Sequence, residues 1–404
     1  MSEESRPEET VGPLSGIRVV DLTRVLAGPF ATMILGDLGA DVVKVERPDG
    51  GDETRAWGPP WVEAAGGAAA YFVSTNRNKR SVAIDLSAEA GRTVLWRLVE
   101  DADVVIANFR PGVLEGWGFG YEAVRERNPR VIYVVINGYG ATGPAAEKPA
   151  FDVIVQGETG VMDLTGRPEG PPTRVGITLG DEAAGLYAVQ GVLAGLFDRE
   201  RNDRGRFVEV ALHDALLSLL TYHAQGWWAS HEVPRRMGNA HPSIVPYQTF
   251  EAADGWFNVG VGNETQWAAL CRSIDREEWI DDPRWRSNAD RVEDRDELIP
   301  RLEGIFRART VSQWVERLTE AGVPCGAVRT VPEALGSPES VERGMVLEIE
   351  GSGGRFPMLG PVVRGGATPR RPPPGLGEHT DEVLREVGYE ADEIANFRDE
   401  GVIR

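Results

Sequence analysis

From Gly16 the apolar positions run first as a strand, then on a helical period, then as a strand again. IRVVDL is almost continuous in β-branched residues, and FATMILGDLGA after Gly28-Pro29 follows the helical repeat. DVVKVER then returns to the strand pattern. Pro29 suits a first helical turn and Gly39 marks the end of the helix. The alternation continues through NRNKRSVAIDL, a helix over about 88–100, ADVVIANF, a helix over 121–127, and VIYVVINGYG. Strands that alternate with helices predict an α/β, Rossmann-like large domain: a mostly parallel sheet with helices on both faces. Its strand ends, at Arg24, Glu46, Asn108 and Gly138, are where such sheets bind ligands.

A different pattern stands at Thr173–Gly191. Strand-like Val175–Leu179 ends in Gly180, one acid follows, and an apolar helical repeat runs to about Arg199. Asp181 takes the N-cap position of a helix that starts at Glu182. A cap explains this acid. So does a carboxylate held against a substrate by a helix N-terminus among small residues (Gly180, Ala183, Ala184, Gly185). Beyond it, FVEVAL reads as a strand and HDALLSLLTYHAQGWW as amphipathic. DGWFNVGVGNETQWAALC then opens a new unit, continued by helices near 291–307 and 311–320. The expected organisation is a large domain over 1–200, completed by a returning segment at 331–404. A linker helix region at 201–225 and a smaller α+β domain at 226–330 make up the rest. The tail carries strand-like pieces, a proline-rich run (369–374) and a short helix after Gly377.

Composition narrows the chemistry. At 404 residues the chain has room for more than one core, and its formal charge of −20 argues against nucleic acid or an anionic membrane as partner. It has no 18-residue apolar run, and its acidic, polar start (MSEESRPEETVGP) does not read as a signal peptide. Cys271 and Cys325 are the two cysteines, so a reducing cytoplasm is the expected location. Of 43 basic residues, only Lys44, Lys79 and Lys148 are lysines. In so arginine-rich a chain, the three mark places that need a compact ammonium, for instance on a phosphate. The cluster Asn76-Arg77-Asn78-Lys79-Arg80, with Arg47 and Arg55, reads either as a solvated face or as a phosphate-binding rim.

Other catalytic patterns are missing from the sequence. The five histidines lack metal-ligand spacing, and there is no G-x-S-x-G elbow or P-loop. Thr23-Arg24-Val25-Leu26-Ala27-Gly28-Pro29 stands where a dinucleotide fold needs G-x-G-x-x-G. Cys271 lies in an apolar helical pattern and reads as core. Acids remain as nucleophile candidates.

Taken in order, these stretches resemble family III CoA-transferases, the group of formyl-CoA transferase-like enzymes, carnitine CoA-transferases and α-methylacyl-CoA racemases. The resemblance is carried by PLSGIRVVDLTRVLAGPFATMILGDLGADVVKVERPDGGDETR, NKRSVAIDL, ADVVIANFRPGV, INGYGATGP, AFDVIVQGETGVMDLTG, GITLGD and GRFVEVALHDALL. HPSIVPYQTF, DGWFNVGVGN and RPPPGLGEHTDEVL extend it over nearly the whole chain. It implies that Asp181 is the catalytic carboxylate and that Arg47, Lys79, Asn108, Phe109 and Lys148 contact coenzyme A or acyl-CoA. It also implies a homodimer of interlocked, ring-threaded chains, and a reaction through aspartyl anhydride and aspartyl-CoA thioester intermediates. No metal, nicotinamide or flavin takes part in that reaction.

The sequence departs from the family in places. Arg24 and Leu26 replace the His and Gln of oxalate-specific members, and HPSIVPYQTF occupies the region of their glycine-rich loop. Phe151 stands where racemases carry a catalytic His, which favours transfer over racemisation. Asp152 beside it reads as a substrate-positioning acid or as a turn cap. The later half is most similar to members acting on dicarboxylates of the succinate, glutarate or hydroxymethylglutarate type. Arg24 and Arg174 are the candidates for a second substrate carboxylate, and Gly157, Gly160 or Gly180 for an oxyanion site.

Overall fold

The computed structural model describes residues 12–365 and 371–404; the acidic start of the chain and the first part of the proline-rich run lie outside them. Two compact units are present. One comprises Met1–Gly160, Val175–Thr221 and Pro338–Arg404, and the other Val161–Arg174 and Tyr222–Ser337.

The larger unit is built on six parallel strands: β1 (Arg18–Asp21), β2 (Asp41–Glu46), β3 (Lys79–Ala83), β4 (Val104–Ala107), β5 (Ile132–Asn137) and β6 (Arg206–Ala211). Their spatial order is β3-β2-β1-β4-β5-β6, so the direction of winding reverses between β1 and β4. The first five strands are almost wholly buried, as expected of a parallel sheet covered on both faces. Helices α1 (Ala27–Asp37), α2 (Glu89–Glu100), α3 (Asp152–Glu158), α4 (Leu179–Asn202) and α5 (Leu212–Ser218) belong to this unit. On one side, Val20, Val43, Val82 and Val105 pack with Leu95 and Leu98 of α2, and with Val383, Leu384 and Ile394 from the C-terminal segment.

That segment also closes an edge. The main-chain groups of β3 would face solvent, but His379 N–H donates to the Ser81 carbonyl at 2.9 Å and Arg404 N–H to that of Ala83 at 3.3 Å. Ile403 bridges Ile84.

Two expectations are corrected here. Residues 201–225 are not a linker, because they supply β6, whose backbone pairs with β5 along its length. Val175–Leu179 is not a strand either, since no strand lies beside it; the side chain of Gln156 takes its backbone groups instead.

The smaller unit holds an antiparallel three-stranded sheet of β7 (Tyr247–Glu251), β8 (Trp256–Gly260) and β9 (Cys325–Ala327). Side chains alternate across it. Phe250 and Phe257 are buried against Phe306, Trp267 and Trp314, whereas Tyr247 and Trp256 are exposed on the other face. Cys271 lies in that core, as its apolar helical pattern predicts.

Candidate active site

Helix α4 starts at Leu179 with Thr178 as N-cap, so Asp181 is the third residue of the helix and not its cap. The carboxylate on the cap belongs to Asp152, the buried first residue of α3. Its Oδ1 accepts the Gly180 N–H at 2.8 Å, which satisfies one of the free donors in the first turn of α4. The other oxygen, Oδ2, accepts from Gln156 Nε2 at 2.8 Å. The expectation that Asp181 caps a helix starting at Glu182 is therefore corrected: the helix starts at Leu179, and an acid from α3 takes a first-turn N–H.

This frees Asp181. It is half-buried, and among the described residues its carboxylate accepts no hydrogen bond. Burial pushes its pKa up to about 7, and the carboxylates of Asp152 and Glu182 add to the push. Burial and like charge thus act against the ionised form that a helix N-terminus favours. One turn along the same face stands Gly185, where a Cβ would lie 2.8 Å from the Ala27 carbonyl oxygen. The missing side chain lets the start of α1 come close to the face that carries Asp181.

Tyr71 was not singled out from the sequence. Its phenol is pushed up to about 12, by burial first and then by the charges of Asp181 and Asp152. Its ring meets Trp57 edge-on at 5.1 Å. The signal available was the aromatic density of the loop before NRNKR, which also carries Trp57 and Trp61.

A cavity of about 200 Å³ opens at the carboxyl ends of the strands, where the winding reverses. Arg24, Arg47, Ser87, Phe109 and Trp117 are among its walls. Arg24 is held by its backbone and by one arm of its guanidinium. Its N–H donates to Asn108 Oδ1 at 2.9 Å, its carbonyl accepts from Asn108 Nδ2 at 2.6 Å, and its guanidinium pairs with Glu53 at 2.6 Å. The same guanidinium lies 4.9 Å from the centre of the Phe109 ring. The next residue, Val25, has φ +70°, a strained value for a β-branched side chain, and its N–H points to Asp52. Arg47 is exposed and donates through Nε to the Gly51 carbonyl. The structure thus gathers Arg24, Arg47 and Phe109 around one cavity; Asn108 is not in its wall and holds the Arg24 backbone behind it.

Lys79 is not among them, and the expectation that it meets a ligand is corrected. It is fully buried, donating to Pro29 O and Asn76 Oδ1 at 2.9 Å each and pairing with Asp21 at 3.2 Å. Lys44 is likewise enclosed, between the Thr23 carbonyl and Asp52. The phosphate-rim reading of residues 76–80 fails for the same reason. Arg77 forks onto Asp37, and Arg80 holds Asp41, Glu382 and Glu386. Arg55 forks onto Glu46, the acid at the end of β2.

Lys148 is exposed and pairs with Glu158, which also takes the Tyr139 hydroxyl. Phe151 and Arg174 are exposed. Of the glycines expected to serve an oxyanion, Gly180 has already given its N–H to Asp152. Gly157 lies in the last turn of α3, and Gly160 takes φ +82°.

Comparison with known proteins gives a consistent result. The sequence model of CoA-transferase family III matches residues 14–380. The succinyl-CoA:glutarate CoA-transferase of Homo sapiens is 39% identical over 97% of this chain and 90% of its own. The succinate–glutarate CoA-transferase of Agrobacterium fabrum is 41% identical over 93% of this chain and 96% of its own. Among solved structures, a CAIB/BAIF family protein from Brucella suis superposes with a TM-score of 0.83 at 39% identity, over 93% of this chain and all of that one.

Proposed function

The chain belongs to CoA-transferase family III and is an acyl-CoA:carboxylate CoA-transferase, and on that premise we propose that Asp181 is its nucleophile. One observation carries the reading: a half-buried carboxylate on a rigid helix, without a hydrogen bond among the described residues and raised to about 7 by its surroundings.

The chemistry asks for such a group. A serine ester lies well below a thioester in transfer potential and would trap the acyl group, whereas an anhydride retains that potential. The Asp181 carboxylate attacks the thioester carbonyl of the donor, forming an aspartyl anhydride and expelling CoA thiolate. The thiolate attacks the aspartyl carbonyl, releasing the donor acid and leaving an aspartyl-CoA thioester. The acceptor carboxylate displaces CoA from aspartate to give a second anhydride. The thiolate then attacks the acceptor's carbonyl, and product acyl-CoA leaves with Asp181 restored. Attack by a carboxylate needs no general base. Partial burial raises the basicity of Asp181 and limits the access of water to the anhydrides. Racemisation would need a second base; Phe151 offers none, and Asp152 is occupied with the Gly180 N–H.

Arg24, Arg47 and Phe109 are the proposed walls of the coenzyme A site at the strand ends, with Asn108 fixing the Arg24 backbone and Lys148 as a further proposed cation for the phosphates. That position is the usual ligand crevice of a sheet wound this way. The proposed acceptors are dicarboxylates of the succinate–glutarate type, with Arg24 or Arg174 receiving the second carboxylate. A homodimer, interlocked as elsewhere in the family, is supported by large exposed apolar side chains on each unit. They are Leu186, Tyr187, Leu193 and Phe197 on α4, and Trp227, Trp228 and Trp256 in the smaller unit. Among the described residues no helix is long and apolar enough to cross a membrane. Two free cysteines fit the proposed cytoplasmic location.

The test is Asp181→Asn, assayed with succinyl-CoA and glutarate. Turnover is expected to fall by at least ~10³-fold while CoA binding, read by calorimetry, changes by less than about twofold. Retained turnover ends the assignment.

A further inference from the structure

We propose that Asp152 and Gln156 of α3 are positioning residues, a clamp that fixes the irregular residues 175–178 and the first turn of α4, and with them the place of the Asp181 carboxylate. The proposal rests on Asp181 as nucleophile. The two side chains stand one helical turn apart on one face of α3, and both are buried, at 5% and 0% exposure. They bind each other through Gln156 Nε2 and Asp152 Oδ2. They then grip the segment at both ends. Gln156 Oε1 accepts the Val175 N–H at 3.0 Å and its Nε2 reaches the Ile177 carbonyl at 3.4 Å, while Asp152 Oδ1 accepts the Gly180 N–H at 2.8 Å.

Nothing regular replaces this hold. Residues 175–178 lie in neither strand nor helix, and Gly176 and Ile177 are exposed. The grip is close-fitting, because a Cβ on Gly180 would come within 3.1 Å of both Asp152 Oδ1 and Leu216 Cδ1. Asp181 follows directly. A carboxylate that must meet a thioester carbonyl and afterwards a thiolate gains from a fixed backbone, since small misplacements slow such steps steeply. Asp152 touches no reacting atom in this arrangement and acts through the main chain.

The charged and titratable groups around Asp181 are Asp152 from α3, Glu182 from α4 itself and Tyr71 from the segment after Trp61. Helices α1 and α5 bring Ala27, Phe30 and Leu216 to this end of α4. Asp152→Asn keeps an acceptor for the Gly180 N–H but removes one of the two like charges and disturbs the bond to Gln156. The variant is expected to lower kcat by roughly 10- to 100-fold, with KM for succinyl-CoA within about twofold. The acid limb of its rate profile moves to lower pH. Gly180→Ala, which crowds the clamp without changing charge, lowers kcat while leaving the limb in place.

If Asp152→Asn alters the melting temperature alone, with kcat, KM and the limb as in the parent, the clamp is structural and the proposal fails. Hydroxylamine trapping under turnover separates this failure from the other. An adduct on Asp181 in the parent enzyme keeps the nucleophile, whatever the clamp variants do. Its absence there removes the nucleophile and the clamp's purpose together.

Discussion

The larger unit contains two clusters of buried charge that differ in one respect. Beneath the ends of β1, β2 and β3, Asp21 and Asp52 meet the ammonium groups of Lys79 and Lys44. At the start of α4, the charges that act on Asp181 are those of Asp152 and Glu182, both of its own sign. Burial pushes the carboxyls of Asp21 and Asp181 upward alike. The two lysines and the hydroxyls of Thr23 and Thr32 reverse that push for Asp21 and hold it at about 2, whereas Asp181 is left at about 7. Burial therefore does not decide whether a carboxylate is structural or reactive; the sign of its neighbours does. The first cluster is compensated within the chain, and the second is not, which is what the proposed nucleophile requires.

The comparison can be broken most severely from the compensated side. Lys79→Met leaves Asp21 enclosed without its nearest cation, and should cost about 3–5 kcal/mol in denaturant unfolding. A loss below about 1 kcal/mol would mean that the pair stabilises nothing.

The uncompensated side should respond in the opposite direction. Between about pH 4 and 7 the unfolded chain has already released the Asp181 proton while the folded chain retains it, so folding weakens as pH rises through that window. Asp181→Asn has no proton to release. It should therefore match the parent near pH 4 and be the more stable above pH 7, by about 2 kcal/mol after allowing for partial solvent screening. Equal stability at pH 8 would show that the carboxylate is not under pressure. In the parent enzyme, turnover should rise with pH through about 7 as Asp181 ionises.

The smallest effect is expected at Lys148, whose pair with Glu158 is exposed. Lys148→Ala should leave the melting temperature unchanged and raise KM for acyl-CoA roughly threefold, the scale of one exposed charge contact. An unchanged KM would remove Lys148 from the coenzyme site.

The sheet was legible because parallel strands buried on both faces read as runs such as RVVD, DVVKVE and IYVVIN. Asp181 was singled out by the family resemblance and by the small residues around it, and its role is a proposal; its surroundings were not legible. The acid that caps α4 lies 28 residues upstream, and no local pattern links it to Gly180. Val175 to Leu179 has strand composition but no neighbour to pair with, which a single stretch of sequence does not reveal.

The lysines are the most instructive case. Their scarcity suggested places that need a compact ammonium, for instance on a phosphate, yet all three pair with the protein's own carboxylates and two of them are fully buried. Lys79 meets two neutral oxygens and one carboxylate, a set that suits three ammonium donors better than the five N–H groups of a guanidinium. The clue was in the pattern, since Lys44 is flanked by valines inside a strand of a sheet covered on both faces.

The way residues 375–404 cover β3 bears on how the chain is made. The smaller unit lies entirely between residues 161 and 337, so all of it has left the ribosome while the edge of the main sheet still lacks its covering segment. During that interval β3 offers bare main-chain groups to any passing strand. A chain halted before residue 375 would therefore present that edge uncovered and be prone to aggregate through it.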